Sequence, residues 1–303
     1  MSFSSRLKDE LCSIRPSGCC RLAECYGMLM FSRSFSFEHI SILTENEQVA
    51  ARYASLLKLC EDVTAVTTRS GADKEYLAVS VAGSADRAKI MHGFGHTKSE
   101  STLKITESFV AKDCCAGAFV RGAFLAGGSM SDPNKEYHLE FFVSDRAAAD
   151  ELLRLLISCG FKPGRTERAS ACVLYFKGSD QIEDLLTFMG AGNTTLEIMN
   201  IKIYKDFRNL ANRRANCELA NIGKTVAAAA PQLKAIRYLA DSGLLQELPD
   251  ELKEAAALRL EHPELSLRDL AAMTHDGVSR SGFNHRLTKL KKIAEEEEKR
   301  RGS

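Results

Sequence analysis

The chain lacks a long apolar run, a surplus of either charge and any of the compact motifs that mark common enzymes. No stretch of about 18 uninterrupted apolar residues occurs, and residues 1–10 contain no apolar segment of a signal peptide. These two absences predict a soluble cytoplasmic protein without a membrane partner. Basic and acidic residues number 41 and 40, so overall charge does not announce nucleic acid, and what matters is where charge sits. Ten cysteines are present, yet none forms a C-x-x-C pair and no Cys/His cluster has zinc-ligand spacing. The expectation is reduced thiols packed as small hydrophobes, with redox sensing as the alternative, and with no metal and no cofactor. A phosphate-cradling glycine loop and a locally supported Ser-His-Asp set are also missing.

What is there begins with length and apolar content. The 303 residues are 45% hydrophobic, enough for two domains with real cores. The first two-thirds is an internal duplication. The run from Cys20 through Gly27 to Ser34 aligns with Cys115 through Gly122 to Ser129 at an offset of 95, with Cys, Ala, Gly and Ser in register. Downstream, residues 39–44 match 138–143 at an offset of 99, which places a four-residue insertion near Asp132-Pro133-Asn134. Both runs read as strands of a half-buried sheet. Amphipathic helices follow at 49–59 and 147–159, then strands at 76–81 and 171–176, then Gly-Ser and another helix. The order predicts a pseudo-twofold α+β domain over residues 1–200, with halves at about 1–97 and 98–200.

Charge becomes local after residue 200. Residues 201–238 hold Lys202, Lys205, Arg208, Arg213, Arg214, Lys224, Lys234 and Arg237 against Asp206 and Glu218, a formal +6 in a chain of net +1. This predicts a basic helical connector over 201–240, with Arg213 and Arg214 among the DNA-binding residues. A third region, 241–303, reads as all-helical. Pro249 opens a helix that stops before Pro263. Ser266 can cap a short helix over 267–273, with Asp269 supporting the cap. A turn, 274–278, follows, with Val278 as its packing residue. Ser279 can then cap a helix whose apolar stripe is Phe283, Leu287, Leu290 and Ile293. Helix, tight turn, helix, behind a preceding helix, is a trihelical helix-turn-helix.

The polar face of that last helix carries the functional reading. Ser279, Arg280, Ser281, Asn284, His285, Arg286 and Lys289 are donors or cations concentrated in its first turns. A recognition helix puts its N-terminal residues against base edges, where Arg matches guanine and Asn matches adenine. Lys291 and Lys292 suit phosphates. Two readings stand on pattern alone: this face reads double-stranded DNA, or it is a solvated face of a three-helix bundle that serves a protein partner. The run Glu295 to Arg301 reads as a solvated helix end.

A second motif, Arg121-Gly-Ala-Phe-Leu-Ala-Gly-Gly-Ser-Met-Ser-Asp132, spaces small residues one turn apart, so two such helices can approach closely. It resembles the LAGLIDADG motif of homing endonucleases, in which an acid at the end of each such helix binds the metal ions that cleave DNA. Asp132 is the acid taken to match, and the 95-residue offset sets Phe37 opposite it. One acid cannot supply the oxygen ligands of two-metal chemistry, so the motif predicts a scaffold without the site and a protein that is not an enzyme.

Together these pieces resemble the WhiA family of Gram-positive bacteria. The resemblance rests on Arg121–Ser129 with Asp132-Pro133, Tyr137-His-Leu-Glu140, Asn212-Arg-Arg-Ala-Asn-Cys-Glu218 with Ala220-Asn221 and Lys224-Thr225, and Ser279-Arg-Ser-Gly-Phe-Asn-His-Arg-Leu287. It covers nearly the whole chain. It implies a degenerate homing-endonuclease-like domain joined to a DNA-binding helix-turn-helix. It further implies a nucleoid-associated transcription regulator tied to sporulation, cell division or chromosome segregation. Promoter DNA would be its ligand, and RNA polymerase or another regulator would be a partner. The alternatives to test against it are a metal-dependent nuclease and a protein-interaction scaffold.

Overall fold

Alternation of apolar and polar residues in Ile40–Thr44 buries every second side chain, and the same logic recurs in each strand that pairs with it. The computed structural model describes residues 1–70, 76–100, 102–168 and 171–301. Two compact units emerge, Met1–Lys205 and Asp206–Ser303.

In the first unit, α1 (Phe3–Ser13) precedes two copies of one arrangement. The first copy is α2 (Gly18–Met30), β1 (Ser34–Phe35), β2 (Ile40–Thr44), α3 (Glu47–Glu61), β3 (Val66–Ser70), β4 (Tyr76–Ser80) and α4 (Ser84–Gly93). The second copy is α5 (Asp113–Gly127), β5 (Gly128–Met130), β6 (Leu139–Val143), α6 (Arg146–Ser158), β7 (Gly164–Arg168), β8 (Ala171–Phe176) and α7 (Ser179–Met189). Each copy builds an antiparallel four-stranded sheet, β1-β2-β4-β3 and β5-β6-β8-β7. The duplication expected from the 95-residue offset is thus a duplication of fold.

The copies meet where α2 packs on α5. Gly27 and Gly122 sit at the contact, and the space there admits no side chain. A Cβ on Gly27 would lie 2.1 Å from the Phe119 carbonyl oxygen, and one on Gly122 would lie 2.2 Å from that of Glu24. Gly127, one turn beyond Ala123, is also tightly placed: a Cβ there would lie 2.6 Å from the Phe142 carbonyl oxygen and 3.7 Å from that of Phe31. Glu24, fully buried, crosses the contact. It accepts from Arg121 Nη2 at 2.8 Å and from Arg52 Nε at 2.7 Å, while Arg121 Nη1 donates to the Met189 carbonyl at 2.8 Å. The arginine of the small-residue motif is therefore an internal ion-pair partner.

The helix α8 (Gly192–Asp241) begins ahead of the expected connector, and Glu10 of α1 accepts from the backbone N–H groups of Asn193 and Thr194 at its start. In the second unit, Ala235, Ile236 and Leu239 of α8 share a core with α9 (Asp250–Glu261), α10 (Leu267–Ala272) and α11 (Arg280–Arg301). The last turns of the basic segment are thus part of the helical core. Among the described residues no helix is long and apolar enough to cross a membrane.

Candidate nucleic-acid interface

The turn between α10 and α11 is held from three sides. Ser266 caps α10 by accepting from the Asp269 N–H, as its spacing predicted. Thr274 Oγ1 donates to the Ala271 carbonyl at 2.8 Å and accepts from the Val278 N–H at 3.3 Å. Gly277 adopts φ +61, a left-handed turn position that favours glycine. From α9, Glu254 accepts from both the backbone N–H and Nδ1 of His275, at 2.9 and 2.7 Å. Those two bonds hold the Glu254 carboxyl below the usual carboxylate range. Ser279 accepts from the Gly282 N–H at 3.2 Å, and α11 begins at Arg280. Phe283, Leu287 and Leu290 are buried, and Ile293 packs at the edge of the core.

The expected reading face divides in two. Arg280, Asn284, His285 and Lys289 are exposed, and among the described residues their side chains have no hydrogen-bond or ion-pair partner. Ser281 is also exposed, and its hydroxyl meets that of Ser279 at 2.9 Å. Arg286 departs from the expectation of a base reader. Only 8% of it is exposed. Its guanidinium bonds Asp276 through both terminal nitrogens and lies 3.9 Å from Glu251 and from Glu254. The spacing of the polar face cannot show this, because Asp276 lies in the turn ten residues earlier. The pair raises the Arg286 pKa and holds the Asp276 carboxyl below its ordinary range. Arg286 clamps the turn that leads into α11.

The basic segment also divides. Lys202 pairs with Asp180 and Glu183, and Lys205 donates to the Pro133 carbonyl at 2.6 Å with its ammonium over the Tyr137 ring. Those two cations are occupied inside the first unit. Arg213 and Arg214 are exposed, the latter 3.2 Å from Glu218 one turn on. In the second unit, Lys224, Arg268 and Arg280 line one cleft of about 410 Å³ between α8, α10 and α11. Gln232 Oε1 and Arg259 Nε, from side chains on the same cleft, are buried without a hydrogen-bond partner among the described residues. In the sequence Arg268 reads as an ordinary helix-surface cation, with no spacing that ties it to Arg280.

At the other candidate centre, the ends of α2 and α5 carry Phe31-Ser32 and Gly127-Gly128. Neither offers a carboxylate. A side chain at Gly127 would start 2.6 Å from the Phe142 carbonyl oxygen. Ser32 Oγ donates to the carbonyls of Leu29 and Ser34. Asp132 corrects the sequence alignment: it lies beyond β5, in a turn where it accepts from the N–H and Nδ2 of Asn134. Glu140, cross-strand from Ser129, accepts from Ser129 Oγ at 3.3 Å and faces Arg168 at 3.5 Å. These residues do not fit a divalent metal pair. Helix α1 further covers this end, with Ser4 Oγ accepting from the Met130 N–H and Lys8 half-buried over Phe124. Burial lowers the Lys8 pKa to about 8.

The cysteines depart from uniform burial. Cys25, Cys115 and Cys172 are buried, but Cys19, Cys114 and Cys217 are exposed, and Cys19, Cys20, Cys114 and Cys115 come together.

A family model of the WhiA C-terminal HTH domain matches residues 211–294, and one of the WhiA LAGLIDADG-like domain matches residues 116–208. The probable cell division protein WhiA of Alkaliphilus metalliredigens is 35% identical over 98% of both chains. Its counterpart in Ruminiclostridium cellulolyticum is 36% identical over 97% of each. The crystal structure of full-length WhiA from Thermatoga maritima matches 98% of this chain and 99% of its own at TM-score 0.60 and 24% identity, a likeness of fold. With a LAGLIDADG-like unit ahead of a helix-turn-helix and this similarity along its length, the chain belongs to the WhiA family.

Proposed function

We propose that the chain is a sequence-specific binder of double-stranded DNA that regulates transcription at promoters, and that it does not cleave DNA. The observation that carries this is the exposed donor face at the start of α11, where Arg280, Asn284, His285 and Lys289 have no side-chain partner among the described residues. A helix N-terminus of this chemistry fits the major groove. Asn284 and Arg280 have the forked groups that pair with adenine and guanine edges. Lys224 and Arg268 beside Arg280, with Arg213 and Arg214 along α8, supply phosphate contacts. Residues 241–303 act as the reading domain, 201–240 as its basic approach, and 1–200 as a non-catalytic platform. On that platform Arg146, Arg165 and Arg168 are matched by Glu167, Asp150 and Glu140, which favours a surface for RNA polymerase or another regulator over a phosphate-binding saddle. The names of the relatives support a role in cell division, with chromosome segregation and sporulation as related settings, in the cytoplasm at the nucleoid.

Fluorescence anisotropy with a duplex containing the bound site tests this reading. Arg280→Ala and Asn284→Ala each weaken binding by about 5- to 150-fold, the equivalent of about 1–3 kcal/mol for a bidentate base contact. Arg268→Ala lowers affinity for all duplexes and reduces the salt slope by about one. Unchanged affinity in the first two variants would return the face to a protein partner. Supercoiled plasmid with magnesium or manganese stays intact; nicking that disappears in Asp132→Ala would establish the nuclease reading instead.

A further inference from the structure

The duplication that pairs α2 with α5 also pairs their first turns. Cys19 and Cys20 are the second and third residues of α2, and Cys114 and Cys115 hold the same places in α5. The 95-residue offset that aligns the copies relates Cys19 to Cys114 and Cys20 to Cys115. All four sulfur atoms lie within 4.8 Å of one another. The two sulfurs of each vicinal pair stand 4.0 Å apart. We propose that these four cysteines form a tetrahedral thiolate site for a single zinc-class ion on the pseudo-twofold axis, at the opposite end of the helix pair from the turns that follow Met30 and Gly127.

The geometry is that of one ion. Tetrahedral zinc holds thiolate sulfurs at about 2.3 Å, so its sulfur–sulfur edges are about 3.8 Å. The vicinal pairs are already near that spacing, and closing the rest takes side-chain rotation. A multi-iron cluster spreads its thiolates over several irons and sets them farther apart. Four sulfur ligands without nitrogen or oxygen select a soft or borderline ion over magnesium or calcium. Two helix N-termini converge on the group, neither with a side-chain cap among the described residues, and the positive ends of their dipoles favour the negative charge of a tetrathiolate complex. Cys19 and Cys114 are exposed and Cys115 is buried, so an ion has a route in and a dry side on which to rest. Spacing rules miss the site because each half supplies an adjacent pair and 93 residues separate the halves. The ion would tie the helices at their first turns, as Gly27 and Gly122 join them at mid-length.

The full chain, purified without chelator and under reducing conditions, tests this by elemental analysis and cobalt substitution. The expected result is one zinc per chain. Cobalt(II) gives the intense near-ultraviolet thiolate charge-transfer band and the red d–d bands of tetrahedral sulfur coordination. Both signals vanish in Cys19→Ser/Cys114→Ser, chosen because both side chains are exposed and serine fits them, and both persist in Cys217→Ser. In the unmodified chain, zinc shields these four cysteines, and not Cys217, from alkylation mapped by mass spectrometry, which needs no variant to fold. Metal that survives the double substitution, an octahedral cobalt spectrum, a disulfide among the four in the reduced preparation, or alkylation of all four regardless of zinc would each overturn the proposal.

Discussion

Replacing Gly122 by alanine sets two effects of opposite sign against each other. In an exposed helix the change stabilises by about 1 kcal/mol, because alanine restricts the unfolded chain and favours the helix. Here the new Cβ would stand 2.2 Å from the Glu24 carbonyl oxygen and 2.8 Å from the Met28 nitrogen, both backbone atoms of the facing helix. Ordinary contact starts at 3.4 Å, so α2 and α5 must part by about 1.2 Å. Side-chain rotation cannot relieve a clash between backbones. Parting the helices also stretches the Arg121–Glu24 bonds at 2.8 and 3.1 Å, which bridge the same contact. Overpacking of this kind costs about 1–3 kcal/mol, and the strained buried ion pair places the variant at the upper part of that range. The net expectation is a loss of about 1–2 kcal/mol once the helix gain is subtracted. In a unit of this size that lowers the thermal midpoint by about 2–8 °C. Differential scanning calorimetry of the full chain, following the transition of the first unit, reads it directly. A midpoint unchanged or raised would refute the claim that close backbone approach, rather than helix preference, places glycine there.

Three further outcomes follow from the same structure. Glu24→Gln leaves Arg52 and Arg121 facing a neutral group in a buried site, and breaking such an arrangement costs about 3–5 kcal/mol, measured by urea unfolding; a loss under about 1 kcal/mol would mean the network is solvated. Arg286→Ala lowers the melting temperature of the second unit as well as DNA affinity, whereas Arg280→Ala lowers affinity and leaves melting unchanged; equal melting in both variants would return Arg286 to the reading face. Lys8, with a folded pKa near 8 against 10.5 for the ordinary side chain, binds fewer protons folded than unfolded between those values. Its charge therefore opposes folding in full below about pH 8, and that penalty is relieved as pH rises toward 10.5. Lys8→Met stabilises at neutral pH by a margin that shrinks above pH 8, read from unfolding curves across pH, and a pH-independent margin would contradict the assignment.

The sequence carried the architecture because duplication repeats its own signals. Cys, Ala, Gly and Ser recur in register, and Gly83 and Gly178 each precede the last helix of their copy. The helix-turn-helix was legible for a similar reason: Ser266 and Ser279 cap helices by local bonds that sequence spacing records. What stayed hidden depends on contacts distant in the chain. Arg286 looks like its exposed neighbours until Asp276 and Glu254 close on it. Arg121 looks like a motif cation until Glu24 meets it from 97 residues away. Asp132 matches the motif acid in sequence position alone; α5 ends at Gly127, and β5 intervenes. The four clustered cysteines are adjacent in pairs, a spacing that carries no metal signal until the two helices meet.

The central claim, that the start of α11 reads base pairs, is tested most directly by selecting duplexes from a random pool with the full chain and with Asn284→Ala. The account predicts a defined motif for the unsubstituted chain and the loss of preference at one adenine position for the variant, with affinity for phosphate-dominated nonspecific DNA preserved. No enrichment by the unsubstituted chain, or the same motif from both proteins, would contradict it.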